Sequence, residues 1–69
     1  MADHRVVGKT GRVTGRIGPK SLGEVMVSVR GGSEAFHAYS VDRDVEIGTG
    51  SQVLVLEYLP PRTVVVTPL

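Results

Sequence analysis

The chain has 69 residues and a formal net charge of +1, and its length suffices for one small domain. Because the sequence contains no cysteine, disulfides and thiolate metal sites are excluded. A net charge this small does not produce the strong field with which a protein attracts nucleic acid or a membrane surface. With only two histidines, His4 and His37, no structural zinc site is expected, and no cofactor is predicted.

The chain is expected to begin with a short disordered end, residues 1–5, followed by a single domain over residues 6–69. Between residues 6 and 17, apolar residues and glycines alternate with polar residues, which is the period of a β-strand. Glycines inside a strand indicate bulges or sharp coiling, as the first strand of a small barrel requires. Five of the eight basic side chains lie in the first 20 residues, so this strand carries a modest basic stripe.

The second and third predicted strands cover residues 22–30 and 34–41, and a turn of two glycines and a serine joins them as a hairpin. Valines alternate with polar residues in the second strand, so the valines are expected to face the core. In the third strand the same alternation places Phe36 inward and both His37 and Tyr39 outward.

The fourth predicted strand follows a connector, residues 42–46, that carries three carboxylates and lacks the glycine of a calcium loop. Its valines are predicted on one face, and three larger apolar residues share the other face: Leu54, Leu56 and Tyr58. A strand that is apolar on both faces is either covered on both sides or presents a contact surface. Leu54 and Leu56 therefore form either a second core under the connector or an exposed patch.

A fifth strand, residues 63–67, is predicted after a turn at residues 60–62 that contains two prolines. Five short strands, glycine-rich turns and no helix predict an all-β fold, a five-stranded barrel of the OB type. An SH3-like barrel is the alternative. Closure into a barrel also removes the free strand edges that so many valines would otherwise expose.

Four segments, in order, carry a resemblance to a known family. They are Val7-Gly8-Lys9-Thr10-Gly11-Arg12-Val13, Phe36-His37-Ala38, Ile47-Gly48-x-Gly50-x-x-Val53-x-Val55 and Val64-x-Val66-x-Pro68. Together they resemble the soluble C-terminal domain of the NfeD-like family. The sequence departs from the family at the turn of residues 59–62, where a glycine turn is common, and at Phe36, where tryptophan or tyrosine is frequent.

The resemblance implies an OB-type barrel that is the soluble domain of a membrane protein and serves as a protein-interaction module. It implies partners among stomatin-, prohibitin- or flotillin-like membrane scaffold proteins, and modulation of membrane protease activity. The expected location is the cell membrane, through an upstream segment that is not present in this chain, with the barrel on the cytoplasmic face. No enzyme is expected, because the serine protease domain of longer relatives and a nucleophile elbow are both missing.

Two other functions stay open at this stage. Single-stranded nucleic-acid binding requires a basic groove with aromatic platforms, and three aromatic residues on a nearly neutral chain argue against it. A structural domain that associates with copies of itself is the second alternative.

Two surfaces are candidates for the contact with a protein partner. The first is the apolar face of the fourth strand, with Leu54, Leu56 and Tyr58. The second is a basic and aromatic face suited to an acidic partner or to anionic lipid head groups, and it comprises Arg12, Arg16, His37 and Tyr39.

Overall fold

The computed structural model describes residues 6–29 and 31–69, and β-strands are its regular elements. The strands are β1 (Thr10–Gly15), β2 (Gly23–Val29), β3 (Gly32–Ser40), β4 (Gln52–Leu59) and β5 (Thr63–Pro68). They close into a barrel in the order β1-β2-β3-β5-β4. The predicted all-β, OB-type barrel is confirmed, since β5 inserts between β3 and β4 and β4 returns to pair with β1.

The core lies inside this barrel and takes side chains from every strand. The strictly alternating valines of β2, Val25 and Val27, are fully buried, as their period predicted. Ile17 and Ile47 close the barrel beyond the strand ends, each donating its backbone amide to the other's carbonyl oxygen at 3.0 and 2.8 Å. In the part of the chain that is described, no helix is long and apolar enough to cross a membrane.

Two strand boundaries differ from the prediction. The first strand runs from residue 10 to 15 and not from 6 to 17, because residues 6–8 form a turn and Ile17 makes an isolated bridge. The β2–β3 hairpin is tighter than predicted, since Gly32 pairs directly with Val29. Gly31 occupies the turn with φ of +78°, a conformation that glycine adopts without the steric penalty of a side chain. The predicted end at residues 1–5, and Arg30, lie outside the described residues.

A β-bulge in β4 overturns the predicted position of Tyr58. Val55 pairs with Val66 and Glu57 pairs with Val65, so Leu56 is an extra residue without its own partner on β5. Because the extra residue shifts the alternation by one, Leu56 and Glu57 are both exposed and Tyr58 turns toward the core. Tyr58 packs against the buried cluster and does not share the outward face of the two leucines.

The start of β2 approaches the end of β1 so closely that only glycine fits at residue 23. A Cβ atom there would lie 2.5 Å from the Gly15 carbonyl oxygen, 2.5 Å from Ile17 Cγ1 and 2.7 Å from the Arg16 carbonyl oxygen. Two of these neighbours are backbone atoms, which cannot turn away. This contact positions the loop between β1 and β2 and the Ile17 bridge that follows it.

Candidate interaction surface

The outward sides of β4, β5 and β3 form one continuous surface, because β5 lies between the other two strands. We call this surface the β5-centred face. The strand pairings give it two rows of outward-facing residues, Leu59–Thr63–His37 and Glu57–Val65–Tyr39. A third row begins with the pair Leu54 and Thr67. Val41 extends this third row just beyond β3, where its amide donates to the Val66 carbonyl oxygen at 2.8 Å.

The β5-centred face is largely apolar and accessible. Val41 is 54% exposed and Leu56 is 42% exposed, while Leu54, Val65 and Tyr39 are half-buried. These values decide between the two sequence-based alternatives for Leu56, which reaches solvent and forms no second core under the connector. Leu54 is half-buried, with Thr10 of β1 and Thr67 of β5 as its neighbours in the sheet.

Opposite charges flank the centre of the face. On the β3 side, the Arg43 guanidinium lies over the Tyr39 ring, with its central carbon 4.4 Å from the ring centroid. This is a cation–π contact, and it holds the positive charge above the sheet. On the β4 side, Glu57 is exposed beside Val65. The middle row therefore carries a carboxylate at one end and a guanidinium at the other.

The connector supplies Arg43 and is itself anchored to the barrel. Its Arg43 carbonyl oxygen accepts a hydrogen bond from the Lys20 amide at 2.8 Å, and Glu46 forms an ion pair with Arg16, also at 2.8 Å. Asp42 Oδ1 accepts a hydrogen bond from the Asp44 amide at 3.1 Å, which folds the segment into a local turn. Arg43 thus projects from a fixed segment.

The structure regroups the residues that the sequence proposed as contact surfaces. Four of them lie together on the β5-centred face: Leu54, Leu56, His37 and Tyr39. The other three, Arg12, Arg16 and Tyr58, lie elsewhere. Arg12 projects from β1 between Met26 and Gln52, and Arg16 is paired with Glu46.

Tyr58 belongs to a pocket at one end of the barrel. Its hydroxyl donates to the Pro61 carbonyl oxygen at 2.7 Å, and its ring meets Phe36 edge-on with centroids 6.3 Å apart. The pocket has a volume of about 220 Å³ and is bordered by Arg62 and Glu34. Arg62 donates to the Ala35 carbonyl oxygen at 2.6 Å and lies 3.6 Å from Glu34. These contacts hold the turn between β4 and β5 against β3.

Sequence reasoning missed seven residues of the face: Val41, Arg43, Glu57, Leu59, Thr63, Val65 and Thr67. Val65 was assigned only to the last strand, and its position at the centre of the face depends on the parallel pairing of β3 with β5. No local signal reports such a pairing, because the two strands are distant in sequence. The acidic connector gave no sign that its arginine would stack on an aromatic ring.

The described surface gives limited support for single-strand binding. Of the basic residues, Arg16 and Arg62 are paired with carboxylates and Arg43 covers Tyr39. These three guanidinium groups are therefore engaged within the barrel, and Arg43 occupies a face of the Tyr39 ring on which a base would stack. Residues 6–29 and 31–69 also contain no group of three or more His, Cys, Asp or Glu side chains that could hold a metal ion.

The fold and the surface define a small OB-type barrel domain with an apolar outward face. Within that class, residues 10–67 of the chain match the sequence model of one family, the NfeD C-terminal domain. The chain belongs to this family, and the resemblance seen in the sequence is confirmed. A search among curated proteins finds no match.

Three solved structures share the fold. The soluble domain of the NfeD protein YuaF from Bacillus subtilis is 30% identical with a TM-score of 0.80, over 93% of this chain and 74% of that chain. The C-terminal domain of stomatin operon partner protein 1510-C from Pyrococcus horikoshii is 26% identical with a TM-score of 0.70, over 100% and 95% of the two chains. The soluble domain of a Corynebacterium glutamicum membrane protein implicated in regulation of membrane protease activity is 23% identical with a TM-score of 0.70, over 93% and 92%.

Proposed function

We propose that this barrel is a non-catalytic protein-interaction module of an NfeD-like membrane protein. In this proposal it acts with stomatin-, prohibitin- or flotillin-like scaffold proteins on the cytoplasmic face of the cell membrane and modulates membrane protease activity. The observation that carries the proposal is the accessible apolar surface of the β5-centred face on a barrel of the NfeD C-terminal domain family. The similar Pyrococcus domain belongs to a stomatin operon partner protein, which supports the choice of partner.

A closed barrel restricts how such a module binds. At the β5-centred face, β5 is paired with β3 on one side and with β4 on the other, so recognition there depends on side chains that project from the sheet and not on the addition of a strand. Contiguous apolar side chains on a soluble surface usually mark a contact site. Tyrosine and arginine are enriched in protein interfaces, and the face offers both in the stacked pair of Tyr39 and Arg43.

Single-strand binding is the function that the surface supports less well. Its requirements are a continuous basic groove and exposed aromatic rings, whereas Arg16 and Arg62 of the described surface are held in ion pairs and Arg43 is stacked on Tyr39. We expect fluorescence anisotropy with labelled oligonucleotides to show no salt-dependent binding in the micromolar range. Tight, salt-sensitive binding would replace the interaction-module proposal.

The proposal is tested by the double variant Leu54→Ser, Leu56→Ser in the full-length membrane protein. Both changes remove apolar surface from the face without touching the buried valines, so the barrel should stay folded while co-purification with the stomatin- or flotillin-like protein is lost. The matched control is Met26→Ser, since Met26 is 39% exposed on a different side of the barrel.

Three results would contradict the proposal. One is an unchanged amount of co-purified scaffold protein from the double variant. Another is an equal loss from Met26→Ser, which would show that the face has no special role. The third is loss of the fold in the double variant. Circular dichroism and thermal unfolding of the isolated domain establish that each variant is folded. If the double variant unfolds, Leu54 and Leu56 are part of the core and the face is not a docking surface.

A further inference from the structure

We infer that the β5-centred face binds a second copy of this chain. In this dimer the two β5 strands lie opposite each other, and the twofold axis runs between them, parallel to both strands. The inference rests on the proposed function in one respect, because it takes the same face as the contact surface. The occupant and the geometry of the contact follow from the positions of the charged groups on the face.

The charged groups of the face lie on either side of Val65. Glu57 is next to Val65 on β4, and Tyr39, with the Arg43 guanidinium above its ring, is next to Val65 on β3. Neighbouring strands are about 4.8 Å apart, so the two ends of this row are about 10 Å apart across the sheet. Glu57 makes no ion pair with any other residue of the described barrel, and its carboxylate is therefore available to an external cation.

A twofold axis that runs along β5, in the plane of the contact, exchanges the two sides of the face. It places β4 of one barrel opposite β3 of the second copy. Glu57 then meets Arg43 of the second copy, and the reciprocal pair forms on the other side of the axis. Two pairs of unlike charges thus flank a central contact between the two Val65 side chains.

The second possible twofold axis in the plane of the contact would place like charges opposite each other. An axis perpendicular to β5 leaves each strand opposite its own copy, so Glu57 meets Glu57 and Arg43 meets Arg43. Like charges placed together across an interface disfavour that arrangement strongly. The charge pattern therefore selects the axis along β5.

The apolar residues agree with the same axis. In the third row, the half-buried Leu54 of one barrel lies opposite the exposed Val41 of the second copy, so these two aliphatic side chains cover each other. The contact area is limited by the curvature of two small barrels, and interfaces below about 1,200 Å² are typical of weak, transient association. We therefore expect a dissociation constant between about 10 µM and about 1 mM for the isolated domain.

Sedimentation velocity of the 69-residue chain over this concentration range tests the inference. The wild-type chain should dimerise. Glu57→Arg alone and Arg43→Glu alone should each weaken dimerisation about tenfold or more, because each variant places two pairs of like charges across the contact. An equimolar mixture of the two variants should restore dimers, because the swapped residues are complementary between the chains.

A matched control is Glu24→Arg, which makes the same charge change on β2, outside the face, and should leave dimerisation unchanged. A wild-type chain that stays monomeric throughout overturns the inference. So does dimerisation that survives both single variants, and so does a mixture that fails to restore the dimer. These results leave the proposed function standing if the Leu54→Ser, Leu56→Ser variant still loses the scaffold protein.

Discussion

Two outward surfaces of the same barrel differ sharply in chemistry. On β1 and its neighbours, the outward residues surround a largely polar groove of about 360 Å³, bordered by Arg12, Thr14, Ser28 and Gln52 together with one exposed apolar residue, Met26. On the β5-centred face, the outward residues are mostly aliphatic or aromatic. Both surfaces cover the same core of alternating valines, and the polar one shows that this core does not need apolar residues outside it. The apolar residues of the β5-centred face therefore call for a reason beyond folding, and contact with another protein supplies it.

The largest effect is expected from Gly23→Ala, which breaks the scaffold that both surfaces share. The new Cβ would meet two backbone oxygens and Ile17 at 2.5–2.7 Å. Overpacking against backbone that cannot move should lower the free energy of unfolding by about 3 kcal/mol, a large part of the stability of a domain this small. Urea unfolding measures the change. Gly32→Ala is the control, because a Cβ at Gly32 has no atom within 4 Å. Equal losses from both variants would refute the steric explanation.

Two adjacent residues of β4 differ in the same way, since one lies in the core and the other on the face. Val55 is 1% exposed and Leu56 is 42% exposed. Val55→Ala should lower the free energy of unfolding by about 2 kcal/mol, because it leaves a cavity in the packed interior. Leu56→Ala should change it by less than about 0.5 kcal/mol. Thermal or urea unfolding of both variants checks this. A large loss from Leu56→Ala would mean that the bulge residue is needed for folding and not for contact.

A smaller difference is expected between two arginines, one on each surface. Arg43 stacks on Tyr39, whereas Arg12 has no ion pair, hydrogen bond or ring contact with another residue of the described chain. Arg43→Gln should lower the free energy of unfolding by about 0.5–1 kcal/mol, the usual size of an exposed cation–π contact. Arg12→Gln should leave it unchanged. Unfolding curves at dilutions where the chain is monomeric separate this effect from dimerisation. Equal effects of the two substitutions would contradict the stacking.

The smallest effect concerns the ion pair between Arg16 and Glu46. The two side chains are 2.8 Å apart but 55% and 53% exposed, so water and salt weaken the attraction. A double-mutant cycle with Arg16→Gln and Glu46→Gln should give a coupling of about 0.5 kcal/mol or less, vanishing near 1 M salt. A larger coupling that resists salt would show that this pair, and not the Ile17–Ile47 bridge, holds the connector to the barrel.

Local periodicity accounts for what the sequence predicted correctly. The valines of β2 and the inward position of Phe36 follow from the two-residue period, and the number of strands follows from the glycine and proline turns. Burial of alternate residues is a local property of the pattern. It needs no knowledge of which strands are neighbours.

The features that the sequence did not predict depend on interactions between distant parts of the chain. The bulge at Leu56 arises where β4 pairs with β5, and it reverses the predicted orientation of Tyr58. The β5-centred face exists because β5 pairs with β3 in parallel, which brings Tyr39 beside Val65. Alternation along one strand reports neither the bulge nor the parallel pairing. The sequence pattern therefore placed Leu54 and Tyr39 on different surfaces, although they share the β5-centred face, and it placed Tyr58 with the two leucines, although Tyr58 turns toward the core.

The position of β5 also has a consequence during protein synthesis. The ribosome makes β5 last of the five strands, yet β5 must lie between β3 and β4. Until residue 68 has left the exit tunnel, β3 and β4 each keep an unpaired edge and the valines of the interior stay accessible to other chains. We therefore expect the nascent chain to depend on holding chaperones until the final strand emerges, and closure to occur in a single late step.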